Sequence, residues 1–378
     1  MKMPRASFPT ICLLLTVLPA FAQVPERSFE HEKLDGMTIE EYEPISTLVV
    51  PEHPVPRAKF PFIDVHSHHF QGDQYTEEDL AEIISAMDQM NMGVLVNLSG
   101  GTGDKLAAMV ENMKGHYPKR FVNFANIDFS DIGEPGWTER AVVQLEQDVE
   151  HGAQGLKIYK SLGMSIKDTD DKRVPVNDPR LDPIWAKCGE LGIPVLIHTA
   201  DPAPFWDPRD RYNERWLELK LRPNRFRPPG LVPPWEDLIA EQHDVFGKHP
   251  ETKFINAHLG WYGNNLPGLA KLMDRYPNMY TEVGAVLAEL GRQPRTARQF
   301  LIDYRDRVMF GKDAWTPSEY PYYFRVFETA DEYFDYYRKY HAHWKLYGLD
   351  LPDDVLKHIY YKNALAVIPG IDASGFPD

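Results

Sequence analysis

Cysteine is nearly absent from this chain: 378 residues carry two, Cys12 and Cys188. Cys12 falls in a leader expected to be removed, so Cys188 stands alone and no internal disulfide is available; stability has to come from a buried core. Long apolar runs are missing as well. The stretch from Ile11 to Leu18 is far short of the ~20 residues that cross a bilayer as a helix, and nothing later approaches that length. Lys2 and Arg5 precede it, and Ala20 and Ala22 flank Phe21 after it, which is the layout of a secretory signal cut after Ala22. Residues 1–22 therefore read as a signal peptide, and the mature protein as exported, periplasmic or secreted; a retained anchor is the alternative. Positive charge is also scarce. The leader holds two of the 41 Lys and Arg and none of the 56 Asp and Glu, so 39 face 56 in the mature chain, a net charge of −17. Such a surface repels phosphate backbones and anionic lipid heads, which argues against nucleic-acid or membrane partners. A small-molecule substrate is expected instead, with a homo-oligomer left open. Internal repeats and low-complexity tracts are lacking too.

About 355 residues follow the leader, a normal length for one α/β barrel carrying insertions. Residues 23–60 are polar and proline-bearing, and read as an extended arm lying against the domain. Beyond them, short β-branched or aromatic runs alternate with stretches of helical apolar spacing, the pattern of βα units around a parallel sheet. Eight runs can be placed: 62–66, 93–98, 121–126, 155–159, 194–198, 253–258, 279–283 and 308–313. Eight closes a (β/α)₈ TIM barrel, spanning residues 61–370 with a short tail at 371–378. Thr76, followed three residues on by Asp79, resembles a helix-start capping pattern. Two connections are too long for plain links, one after strand five (199–234) and one after strand eight (314–352). Both lie on the face where barrels carry their chemistry, and are expected to wall in a site there.

The first strand ends in IDVHSHHF, and strand alternation places His66 and His68 on one face. His198, His258 and Asp313 each stand where an apolar strand opens into a loop at the same rim. Taken singly, each is more readily a hydrogen-bonded structural histidine or a helix-capping aspartate. Together they are metal-binding groups from four strands, and burying so many polar side chains without a shared partner would be costly. Imidazole and carboxylate suit zinc first, and also manganese, iron or nickel.

HxH after strand one, His after strands five and six and Asp after strand eight resemble the amidohydrolase superfamily. More narrowly, the blocks DVHSHHF, GLKIYKSLG, DPRLDPIWAKCGELGIPVLIHTADP, FGKDAW and IYYKNALAV are similar to the amidohydrolase-related branch that includes aminocarboxymuconate-semialdehyde decarboxylases and lactonase-like hydrolases, especially its exported members. The resemblance implies that His66, His68, His198 and Asp313 ligate the main divalent ion. His258 would be an acid/base or electrophilic group, or a ligand to a second ion. Asp313 would take the proton from a metal-bound water, and neutral His258 would donate to the developing oxyanion. Lys157 in GLKIYKSLG resembles the lysine that binuclear relatives carboxylate to bridge two ions; one ion is favoured, two follow if it is carboxylated. Lys312 departs from the pattern, standing before the aspartate where threonine or serine is usual; it is expected to lower the aspartate's pKa or to point to solvent. Trp206, Arg209, Arg211, Lys160 and Glu282 are candidate substrate contacts. Hydrolysis of an amide, lactone or ester-like bond by metal-bound hydroxide is the leading expectation. A non-oxidative decarboxylase on the same scaffold and a non-catalytic periplasmic binding protein are the alternatives.

Overall fold

The computed structural model describes residues 36–377. The expected signal peptide, Cys12, the first part of the arm and Asp378 lie outside the described residues. Residues up to Val49 and those from Val50 onward are separate units. In the first, Glu41 accepts from the N–H of Thr38 at 2.7 Å and from its hydroxyl at 3.0 Å, pinning a turn.

The second unit is built on eight short strands: β1 (Phe62–Ser67), β2 (Met92–Asn97), β3 (Phe121–Asn123), β4 (Leu156–Ile158), β5 (Val195–Ile197), β6 (Phe254–Asn256), β7 (Met279–Glu282) and β8 (Val308–Met309). Neighbours pair in parallel, β1 to β3 in one ladder and β4 to β8 in another. Single residues join the ladders. Ala125 bridges to Leu156, with its N–H on the Gly155 carbonyl and its own carbonyl taking the Lys157 N–H, both at 2.8 Å. At the other seam Val65 donates to the Phe310 carbonyl at 3.0 Å and Asp313 to the His66 carbonyl at 2.7 Å. The strands thus close into the expected TIM barrel. Parallel strands covered by helices are buried on both faces and read as near-continuous apolar runs; Ile63, Val65, Leu196, Ile197, Phe254 and Ile255 expose nothing.

The barrel helices fall where the apolar spacing puts them. The first, Glu77–Met90, turns Leu80, Ile83, Met87 and Met90 inward. Thr76 and Asp79 cap it reciprocally, as their spacing predicts: Asp79 N–H donates to the Thr76 hydroxyl at 3.1 Å, and the Asp79 carboxylate accepts from Thr76 N–H at 2.8 Å. Among the described residues no helix is long and apolar enough to cross a membrane.

The long connections are not structureless. The first holds a helix at Trp216–Leu221, and the second one at Tyr320–Glu328 that buries Tyr320, Tyr323, Phe324, Val326 and Phe327. Pro321 sits in the first turn of the latter, where its missing N–H breaks nothing. Except in β1, which runs one residue further, the strands end earlier than expected at the carboxyl rim. There the chain leaves the ladder through left-handed residues: Ala200 (φ 61°), His258 (59°), Ala285 (56°) and Asp313 (86°).

Candidate metal centre

His66 is the fifth residue of β1 and His68 follows the strand's end; their Nε2 atoms lie 3.5 and 3.6 Å from Oδ1 of Asp313. His66, His258 and Asp313 each offer a ligand atom within 4.8 Å of the others. The His66 and His258 rings stack at 4.7 Å between centroids, and His198 stands edge-on to His258 at 4.5 Å. The five side chains therefore converge, with His198 reached through His258 rather than inside the tight group of three.

Hydrogen bonds fix which nitrogen each imidazole presents. His66 Nδ1 lies 3.0 Å from Oε1 of Glu282, and His258 Nδ1 lies 2.8 Å from the Gly284 carbonyl. Both acceptors demand a proton on Nδ1, so both Nε2 atoms carry lone pairs. For His68 the orientation passes along a chain. Tyr159 donates to the Leu98 carbonyl at 3.1 Å and Ser99 to Tyr159 at 2.9 Å, so Ser99 accepts from His68 Nδ1 at 2.8 Å. Among the described residues, the Nε2 atoms of His66, His198 and His258 are buried without a hydrogen-bond partner. Unpaired buried acceptors of this kind cost free energy, and a divalent cation is the partner their chemistry fits.

Electrostatics agree. Burial first, then the charge of Lys157, drives His66 far below the usual imidazole range and His68 down to about 4. Burial and His258 do the same to His198. These rings are neutral and ligand-competent. Burial pushes Asp313 upward, but the surrounding His66, His258, His68 and Lys157 outweigh it and bring its carboxyl down to about 2. Lys157 ends up buried with no hydrogen-bond partner on Nζ among the described residues; desolvation brings it down to about 7 against the pull of Asp313 and Glu282. Beside it opens a cavity of about 430 Å³, lined by Phe129, Lys157, Tyr159, Ser161 and Ser165 among others.

Several side chains do not stand where the sequence suggests. Glu282 is wholly buried and accepts from His66 Nδ1, from the His258 N–H at 2.6 Å and from the Gly284 N–H at 2.5 Å. It orients the histidines and cannot meet a substrate. His258 Nδ1 faces the Gly284 carbonyl, so the tautomer that donates to it presents a lone pair at Nε2, which accepts rather than donates there. Arg209 lies over Phe226 at 4.8 Å and Arg211 donates to the Tyr212 hydroxyl at 2.7 Å, both on the exterior. Trp206 Nε1 donates to the Pro233 carbonyl at 2.9 Å, within its own loop. Lys160 pairs with Asp201 at 2.5 Å, which Arg227 also holds at 2.6 Å. Lys312 neither faces solvent nor approaches the Asp313 carboxylate as a leading influence; it is buried on Glu319 and the Ala314 carbonyl. Sequence reasoning missed Ser99, Tyr159 and Asp64 altogether. An acidic residue closing a barrel strand at the rim, as Glu282 does, was the available signal for an imidazole-orienting group.

A closed barrel with neutral histidines around an ionised aspartate at its carboxyl rim defines a metal-dependent hydrolase of the TIM-barrel class. The amidohydrolase family profile matches residues 63–369, and the chain belongs to that family. Its members act on small molecules with a metal ion, so the protein is an enzyme, which sets aside the non-catalytic reading. Among curated proteins none matches the chain. Among solved structures it is similar to an uncharacterized TIM-barrel protein from Bordetella bronchiseptica (16% identity over 81% of this chain and 98% of that one, TM-score 0.51). It is also similar to 4-oxalomesaconate hydratase from Rhodopseudomonas palustris (15%, 83% and 97%, 0.48) and to an amidohydrolase from Mycobacterium avium subsp. paratuberculosis (15%, 82% and 99%, 0.46). The first of these likenesses supports the fold.

Proposed function

We propose that this protein hydrolyses an amide, lactone or other ester-like bond in a small polar molecule, as a zinc enzyme exported to the periplasm or beyond. The observation that carries the reading is the pair of buried Nε2 atoms of His66 and His258 beside Asp313, neither with a hydrogen-bond partner among the described residues, with the equally unpaired His198 next to His258. His66, His68, His198 and Asp313 would hold the ion, with His258 as a further nitrogen at the same centre. A second ion would need Lys157 carboxylated, together with His198 and His258. The nitrogen and oxygen donors favour zinc, and the leader-like residues 1–22 favour export.

When bound, the ion supplies a Lewis acid that lowers the pKa of a coordinated water towards ~7 and polarises a carbonyl. The chain's own groups do the rest. Asp313, ionised and 34% exposed at its side chain, is placed to take the proton of the attacking water. Glu282 keeps the His66 ring, and the Gly284 carbonyl the His258 ring, turned so that Nε2 faces the centre. The cavity beside Lys157 has the volume of a small-molecule site.

Metal analysis of the purified protein, followed by turnover of an amide, lactone and ester panel in ¹⁸O-water, tests this. Label in the product supports hydrolysis. Release of CO₂ without label would establish the decarboxylase instead, and a fully metallated sample inert on the whole panel would sink the reading.

A further inference from the structure

A lysine beside the centre's aspartate is buried rather than solvated, and its contacts form a bracket. The Lys312 side chain exposes nothing. Its Nζ donates to the Ala314 carbonyl at 2.6 Å and pairs with Oε2 of Glu319, an oxygen that also accepts from Arg338 Nη2 at 3.2 Å. The rings of Tyr320 and Tyr337 lie 5.6 and 6.0 Å from the ammonium. On its backbone side, the Lys312 N–H donates to Oδ1 of Asp64 at 3.1 Å. The same carboxylate takes the His66 N–H at 2.9 Å and the Tyr320 hydroxyl at 2.6 Å.

Both flanks of Asp313 are therefore held: the preceding N–H by Asp64, the following carbonyl by the ammonium of Lys312. Between them Asp313 is kept at φ 86°, a strained conformation that a non-glycine residue holds only where its surroundings impose it. Tyr320, Glu319 and Arg338 all belong to the long connection after β8, so the bracket ties that connection to the aspartate.

We propose that Lys312 is a positioning residue for Asp313: it closes a side-chain clamp onto Ala314 that fixes the aspartate's strained backbone and so the direction of its carboxylate toward the ion. The proposal rests on the metal-centre reading above. The Lys312 ammonium is committed to the Ala314 carbonyl and Glu319. Threonine or methionine there cannot span to the Ala314 carbonyl, and would leave Glu319 to Arg338 alone.

The test uses the full-length mature chain, stripped and reloaded with Co²⁺. Two properties are read: the visible d–d absorption, which reports ligand geometry, and the Co²⁺ dissociation constant by chelator competition. Lys312→Met is expected to change the band shape and weaken Co²⁺ at least tenfold. Arg338→Met, which loosens the far end of the same network but leaves the clamp, is expected to keep the wild-type band. Should Lys312→Met not fold, Glu319→Gln decides, with a smaller change in the same direction expected. A wild-type spectrum and dissociation constant in the folded Lys312 variant, or in Glu319→Gln where that variant decides, overturns the proposal whatever the melting temperature. A wild-type chain that binds no Co²⁺ overturns the metal reading itself, and this inference with it.

Discussion

Replacing Glu282 with glutamine changes one carboxylate oxygen into an amide nitrogen and nothing in size. Glu282 accepts three hydrogen bonds, from His66 Nδ1 at 3.0 Å, His258 N–H at 2.6 Å and Gly284 N–H at 2.5 Å, the first two on Oε1 and the third on Oε2. An amide has one acceptor oxygen, so one side of the group must point N–H at N–H. If the amide nitrogen faces Gly284, that backbone donor is orphaned; if it faces the histidines, His66 loses the bond that fixes its tautomer. Either loss leaves a buried donor unsatisfied, at about 1–3 kcal/mol. Removing a carboxylate that orients a metal-ligating histidine typically weakens the metal 10–100-fold, about 1.4–2.7 kcal/mol. The assay is zinc dissociation by chelator competition, paired with melting of the apoprotein in EDTA. A Glu282→Gln variant that binds zinc as tightly as wild type would refute the orienting role.

Other outcomes follow from the same geometry. His66→Ala or Asp313→Ala is expected to abolish turnover and metal retention, and full activity in either contradicts the site. A Cβ at Gly311 would intrude on the Glu282 carboxylate and come within 3.0 Å of the His66 Cβ, so Gly311→Ala should weaken zinc binding as well as lower the melting temperature. At Gly93 a Cβ would lie 2.7 Å from the Phe376 ring; Gly93→Ala is expected to destabilise by about 1–3 kcal/mol, and less when Phe376→Ala removes the ring, a coupling readable from a denaturation cycle. Burial holds His243 down at about 4 against 6.5 when unfolded. Between those pH values the unfolded chain binds the extra proton, so stability falls as pH drops from about 6.5 to 4. His243→Leu should flatten that slope by one proton in urea titrations at pH 7 and 4.5, and an unchanged slope would reject the assignment.

The barrel was legible because parallel strands sealed under helices spell apolar runs, and the helices between them keep their spacing. What the pattern could not show is where each strand stops hydrogen bonding. β8 pairs with β7 only through Val308 and Met309, while Phe310 and Asp313 still hydrogen-bond β1 before the chain turns left-handed. The helix at Tyr320–Glu328 hid behind Pro321 and a density of aromatics that reads equally as loop packing. In the site, the residue types were readable and their convergence followed from the topology. Hydrogen-bond direction was not, because it depends on backbone groups such as the Gly284 carbonyl, whose position is set by turns that no spacing rule encodes. The misplacement of Glu282 and of the His258 proton has that one origin.

The seam between β1 and β8 has a consequence for biogenesis. Asp64 and Lys312 are separated by 248 positions along the chain yet share a hydrogen bond there, and His66 and Asp313 sit on either side of the join. A chain still emerging from the ribosome owns His66 and lacks Asp313. The full set of side chains is therefore assembled only when the last strand joins the first.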